Sequence, residues 1–212
     1  MLKIWGNTHS SCVQKVLVCA AELDLPFELI KTGGGYGGLD DPDYLRLNPN
    51  RVVPTIDDGG TVLWESAAIL CYLASTYGRG SLYPEDAAAR GDAYRWVFWQ
   101  VGTVRAALMP LYVQWEVWKP AYRHLDELER LRRGLEGTWR IVEDHLADGR
   151  PYLTGETYGM GDIAMGIMAH WWYRFPIDHF DLPRLRAWHD RVVARPAFQE
   201  FVVAPLAEAA TG

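Results

Sequence analysis

His9-Ser10-Ser11-Cys12-Val13-Gln14-Lys15 sets two hydroxyls and a thiol side by side, just after the short apolar segment Leu2 to Trp5 and ahead of a strongly helical run. Groups placed there sit at or just before a helix N-terminus, where unpaired amides and the helix dipole favour negative charge. A thiolate held at that point is stabilised, so Ser10, Ser11 and Cys12 are each candidates for chemistry. The plain alternatives are N-capping for the serines and a small buried apolar role for Cys12.

Three further stretches carry candidate groups. In Asn48-Pro49-Asn50-Arg51-Val52-Val53-Pro54-Thr55-Ile56 a proline stands at the mouth of an apolar strand. It cannot donate to the ladder, which confines it to a strand start or an edge. The segment reads either as a turn or as a place where the main chain of Val53 meets a ligand. Trp64-Glu65-Ser66 puts a carboxylate and a hydroxyl on the first turn of a helix. Both residue types cap helices; alternatively Ser66 binds a ligand carboxylate and Glu65 pairs with a ligand ammonium. Gly33-Gly34-Gly35-Tyr36-Gly37-Gly38 formally contains a GxGxxG pattern after a strand. A dinucleotide site needs a helix to open on the last glycine, and here any helix starts only after Asp41. A surface loop, able to fold over a ligand, is the better reading.

The elements that must position these groups change character along the chain. Leu2–Trp5, Pro26–Ile30, Val53–Ile56 and Val62–Leu63 read as strands, and Ser11–Glu22 and Glu65–Tyr77 as helices. That is a small α/β domain of residues 1–78. A linker, 79–84, follows, and 85–212 reads as an all-helical domain. Within it, 85–119 is one long helix interrupted at Pro110 and ended at Pro120. Leu125–Leu146, Asp162–Trp172, Leu182–Ala194 and Ala197–Val203 supply the rest.

The 212 residues are 49% hydrophobic and 23% charged, the composition of a globular protein. A formal charge of −6 argues against nucleic acid and anionic membrane as partners. No apolar run approaches the roughly 20 residues that span a bilayer, and no signal-peptide pattern opens the chain. The three cysteines, Cys12, Cys19 and Cys71, fit a reduced cytoplasm better than a disulfide framework. Cys19 and Cys71 read as buried and inert. No metal-ligand spacing is present. Eight of the ten tryptophans lie beyond residue 90, so the helical half is built around large flat side chains.

Taken together and in order, Ser-Ser-Cys before a helix, the Val53-Pro54 step, the Glu65-Ser66 step eleven residues on, and a helical second half resemble the cytosolic glutathione transferase superfamily. Gly155-Glu156-Thr157-Tyr158-Gly159-Met160-Gly161-Asp162-Ile163 resembles that family's capping signature, with Gly159 where a hydroxyl residue usually stands. The resemblance implies a thioredoxin-like domain that binds glutathione. In it Pro54 is cis, the main chain of Val53 pairs with the cysteinyl part, and Glu65 and Ser66 hold the γ-glutamyl end. The family's basic residue before the Val-Pro step is here Val52, which leaves Arg51 as a possible substitute for binding the glycine carboxylate, with Lys15 and His9 as weaker candidates.

The same resemblance, to the zeta class through Ser-Ser-Cys and to bacterial serine-type members through the rest of the domain, favours Ser10 as the group that stabilises the glutathione thiolate. Cys12 is the alternative, as a protein thiol forming a mixed disulfide with glutathione, and Ser11 the third. It further implies a homodimeric detoxification enzyme with glutathione as co-substrate and no permanently bound cofactor. An apolar electrophile pocket would be lined from the long helix by Trp99, Tyr112 and Trp115. A glutathione-dependent isomerase of the zeta kind and a non-catalytic binding protein of the same fold remain the competing readings.

Overall fold

The computed structural model describes residues 1–117 and 122–209. It divides into two compact units, Met1–Asp86 together with Val193–Gly212, and Ala87–Val192.

The first unit is built on four strands, β1 (Leu2–Gly6), β2 (Phe27–Lys31), β3 (Thr55–Asp58) and β4 (Thr61–Trp64), in the order β2-β1-β3-β4. β1 and β2 are parallel and are joined through helix α1 (Ser11–Glu22); β3 and β4 run antiparallel to their neighbours. α1 forms where Val13, Val16, Leu17 and Ala20 recur at helical spacing, and all four are fully buried. A short helix α2 (Pro42–Leu47) opens where Asp41 Oδ1 accepts from the Asp43 amide at 2.8 Å, with proline at its first position. Helix α3 (Ser66–Tyr77) follows β4 directly and packs on α1, and its Ile69, Leu70, Leu73 and Ala74 are fully buried. This is the thioredoxin-like α/β arrangement that the sequence resemblance implies.

The second unit is all helical: α4 (Ala87–Trp99), α5 (Arg105–Tyr112), α6 (Leu125–Gly134), α7 (Glu136–His145), α8 (Met160–Arg174) and α9 (Pro183–Val193). The long helix expected over 85–119 contains two wider π-helical turns, Gln100–Val104 and Val113–Val117, the second just after Pro110. Proline withholds an amide from the helical ladder, and a local change of hydrogen-bond spacing is a common way to absorb it. Trp118, Lys119 and Pro120 lie outside the described residues. The single helix expected over Leu125–Leu146 is two, because Gly134 and Gly137 flank Leu135 and weaken helix continuation there.

α8 is the core of this unit, and Gly161 allows it to approach α4. A Cβ at Gly161 would lie 3.0 Å from Trp96 Cβ. One turn into α8, the fully buried Asp162 carboxylate accepts from three N–H groups. These are the Gly159 amide at 3.0 Å, the Leu153 amide at 2.9 Å and Trp188 Nε1 at 2.8 Å. Glycine has no side chain to return the bond, so the Asp162 amide goes to the Gly159 carbonyl instead, at 3.0 Å. Burial pushes the Asp162 carboxyl up to about 6, against the downward pull of those donors.

The last stretch, assigned by its pattern to the helical domain, folds on the first unit instead. It comprises α10 (Pro196–Phe198), the π-helical turn Gln199–Val203 and α11 (Ala204–Ala209). Phe198 and Val202 are fully buried, Phe201 packs on Phe27 with ring centroids 5.8 Å apart, and Arg195 makes a two-pronged ion pair with Glu22 at the end of α1. An apolar stripe shows that a helix is buried but not against what.

Replacing Asp162 by Asn retains an acceptor for Leu153 and Trp188 but turns an NH2 group toward the Gly159 amide. The expected cost is about 1–3 kcal/mol, read as a lower urea midpoint with unchanged m-value.

Candidate active site

The sheet register brings the three sequence motifs to one end of the first unit. Trp5 faces Thr55 on one side of β3, and Thr55 faces Trp64 on the other. The residues that follow these pairs toward the same end of the sheet are Gly6, Pro54 and Glu65. The turn leading to Ser10, the Val53-Pro54 step and the start of α3 therefore adjoin, although they are separated by some fifty residues of chain. The Val53–Pro54 peptide is cis.

Two of these segments, the turn after β1 and the stretch before Pro54, are held by side chains other than the candidates themselves. The turn after β1 is pinned by Asn7, whose Nδ2 donates to the Thr32 carbonyl at 3.2 Å while its Oδ1 accepts from the His9 amide at 3.2 Å. Gln14 Nε2 adds a bond to the Thr8 carbonyl at 2.8 Å. Gly6 has no Cβ because Val13 of α1 sits there, 2.6 Å from where one would be. The segment before Pro54 is held by a buried chain of side chains. Asn48 Nδ2 donates to Thr55 Oγ1 at 3.0 Å and to the Val52 carbonyl at 2.9 Å. Tyr44 O–H donates to the same carbonyl at 2.5 Å and lies 2.9 Å from Thr55 Oγ1. Asn48 and Thr55 are fully buried, so these bonds polarise one another in a low dielectric.

Two of the candidate side chains, Ser10 and Glu65, take no part in capping the helices they precede. Ser10 is the N-cap of α1 by backbone angle, φ −84° and ψ 119°, yet its hydroxyl makes no capping bond. Ser10, Ser11 and Cys12 are all half-buried. Glu65, the N-cap of α3, makes no capping bond either, and its backbone is left-handed at φ 73°. A non-glycine residue in that region costs about 1–3 kcal/mol and persists only where its surroundings dictate it. Ser66 is buried, and its Oγ accepts from Lys15 Nζ at 3.2 Å.

Residues 9–76 match the family described as glutathione S-transferase, N-terminal domain, and residues 125–191 the one described as glutathione S-transferase, C-terminal domain. The glutathione S-transferase GstB of Escherichia coli (strain K12) is 30% identical over 208 residues, covering 97% of this chain and 100% of GstB. The chain belongs to the glutathione S-transferase family. Another relative, the disulfide-bond oxidoreductase YfcG of the same organism, is 32% identical over 192 residues, 86% of each chain. Among solved structures, the theta class glutathione S-transferase from Xanthomonas axonopodis pv. citri, with glutathione bound, superposes with a TM-score of 0.89. It is 38% identical, and the match covers 95% of this chain and 96% of that one.

The other residues singled out from the sequence are placed as follows. Arg51 is exposed, has a left-handed backbone at φ 58°, and its Nη1 lies 3.2 Å from Asp40 Oδ1. An ion pair so solvated is worth little and leaves the guanidinium available. The glycine loop is a closed turn in which the Gly33 amide donates to the Gly37 carbonyl at 2.7 Å and Lys31 lies over the Tyr36 ring, 5.2 Å from its centre. Trp99, Tyr112 and Trp115 are half-buried in the helical unit, each against a partner. Trp99 meets Trp96 edge-on at 5.7 Å, Tyr112 meets Trp171 at 4.9 Å, and the Arg123 guanidinium covers Trp115 at 4.3 Å.

Burial pushes the Cys19 thiol up, Cys71 and Glu22 adding to the effect. Burial likewise takes Cys71 up to about 11, with the Lys15 ammonium opposing. The residues that sequence reasoning missed are Tyr44, Asn48 and Asn7, and it did not anticipate the burial of Lys15. A single lysine inside a helix apolar on nearly every side was the available signal for the last.

Two outcomes follow from this geometry. Asn48→Ala removes two donors from buried acceptors and is expected to destabilise the protein by about 2–4 kcal/mol, measured by chemical denaturation. Cys71, with its thiol near 11, is expected to alkylate about a hundredfold more slowly than free cysteine at pH 8. Its rate should rise about tenfold per pH unit until the thiol ionises, as read by peptide mass spectrometry.

Proposed function

We propose that this chain transfers glutathione to an apolar electrophile. The main chain of Val53 pairs with the cysteinyl portion of glutathione, Ser66 and Glu65 take its γ-glutamyl carboxylate and ammonium, and Arg51 faces its glycine carboxylate. The Ser10 hydroxyl donates a hydrogen bond to the sulfur, which favours the thiolate over the thiol. That thiolate forms a bond to an electrophilic carbon and the leaving group departs with its electron pair, so rate is gained from ionisation and proximity. Trp99, Tyr112 and Trp115 supply flat apolar surface for the second substrate. A homodimer acting in cytoplasmic detoxification completes this reading, on the strength of the family resemblance.

The observation that carries it is the convergence of Ser10, Val53-Pro54 and Glu65-Ser66 at one end of the sheet, with Ser10 and Glu65 both withheld from capping. The likeness to a theta class structure with glutathione bound supports the same ligand. A second reading, thiol-disulfide exchange through a Cys12–glutathione mixed disulfide, is favoured by the likeness to YfcG, a disulfide-bond oxidoreductase.

Thiolate ultraviolet absorbance, titrated against pH with and without glutathione, separates the two. For the transferase a thiolate signal at low pH is expected only when glutathione is present. Ser10→Ala should lower kcat/KM with an aryl halide about 10–100-fold, the worth of one hydrogen bond to a charged atom, and Cys12→Ser by less than about threefold. The reverse pattern, with a thiolate signal already present in the free protein, establishes the exchange reaction instead.

A further inference from the structure

Lys15 lies one turn into α1 beyond Ser11 and Cys12, and its side chain is only 1% exposed. Around it α1 buries the apolar Val13, Val16, Leu17, Val18, Cys19 and Ala20, together with Gln14, whose Nε2 donates to the Thr8 carbonyl. A cation in such a place is costly unless polar groups meet it. Lys15 Nζ reaches Ser66 Oγ, at 3.2 Å, on the first residue of α3.

That bond has a directional consequence. An ammonium only donates, so the Ser66 oxygen is the acceptor, and the hydroxyl's own proton points away from Lys15. Ser66 is thereby presented as a donor, with a positive charge directly behind it. Next to it, Glu65 is exposed, makes no capping bond and is held at φ 73°. The pair offers a donor backed by a cation beside a carboxylate, the complement of an amino-acid head group with its own carboxylate and ammonium. The Lys15 charge is also felt at Cys71, where it opposes the effect of burial on the thiol, which places it at the α1–α3 contact.

We infer that Lys15 is a positioning and specificity residue of the glutathione site, orienting the Ser66 hydroxyl toward the ligand and making that position select the γ-glutamyl carboxylate. The inference rests on the transferase reading above, since it names the ligand group that Ser66 meets. Lys15 acts through Ser66 and touches no reacting atom.

The test is a cycle of calorimetric titrations, wild type and Lys15→Met, each with glutathione and with 4-aminobutanoyl-cysteinyl-glycine, which lacks only that carboxylate. Lys15→Met is expected to weaken glutathione binding about tenfold or more, the usual worth of a charge-assisted hydrogen bond, and binding of the analogue by less than about twofold. Lys15→Arg, which keeps charge and donors, should hold the preference for glutathione within about threefold of wild type. Equal weakening of both ligands, or weakening of neither, overturns the role assigned to Lys15 while leaving the transferase reading intact. Failure of the wild type to bind glutathione overturns that reading itself. Should Lys15→Met not fold, Lys15→Gln carries the same comparison with the same outcomes.

Discussion

The site depends on one ladder position. Thr55 pairs with Trp5 on one side and Trp64 on the other, and that double register fixes which loops meet at the end of the sheet. β3 runs antiparallel to β1, so the beginning of β3 lies beside the end of β1, and β4 returns to bring its own end to the same place. A slip of one residue would turn every β3 side chain to the opposite face. It would also carry the Val53-Pro54 step away from Glu65. Thr55 resists that slip twice, through the ladder and through the hydroxyl that Asn48 and Tyr44 engage.

Around this point the residues that hold the structure are distinct from several of those proposed to meet glutathione. Asn7 and Gln14 hold the turn before α1, so the hydroxyl of Ser10 need not cap the helix. Asn48 and Tyr44 hold the Val52 carbonyl inward. At α3 the division has a cost, because Glu65 sits in a left-handed conformation with no capping bond in return. Strain of this kind persists only where the surroundings dictate it, and it accords with the ligand contact proposed for Glu65. The contrast is with Asp162 in the helical unit, where a buried carboxylate serves the fold alone and meets three donors.

What could be read from the sequence was whatever depends on local pattern. The bounds of α1 follow from its apolar spacing, and the start of α2 from Asp41 ahead of Pro42. The association of the three site motifs was legible only through their resemblance to a family, because strand register leaves no trace in spacing. The partners of buried polar groups were not legible either: Asn48 looks like any residue of a turn until Thr55 is seen to need it. Helix continuity failed where glycine acted in pairs, at Gly134 and Gly137. The destination of α10 and α11 failed because a stripe such as Phe198, Phe201 and Val202 is complementary to many surfaces, and only Glu22 and Phe27, far earlier in the chain, mark the one it takes.

Membership of a family that includes both a named transferase and a named disulfide-bond oxidoreductase at similar identity has a physical basis in this arrangement. The groups proposed to hold glutathione are a main-chain segment and the first turn of α3, and neither takes part in breaking or forming a bond to sulfur. On the proposal above, the reaction is decided by the side chain that meets the sulfur at the start of α1. A hydroxyl there can only donate to a thiolate and leave glutathione as the nucleophile. A thiol there can itself become bonded to that sulfur. Ser10, Ser11 and Cys12 stand together at the start of α1, so on this proposal a change of one or two atoms, or a small rotation of the first turn, separates the two chemistries while the groups proposed to orient glutathione remain the same.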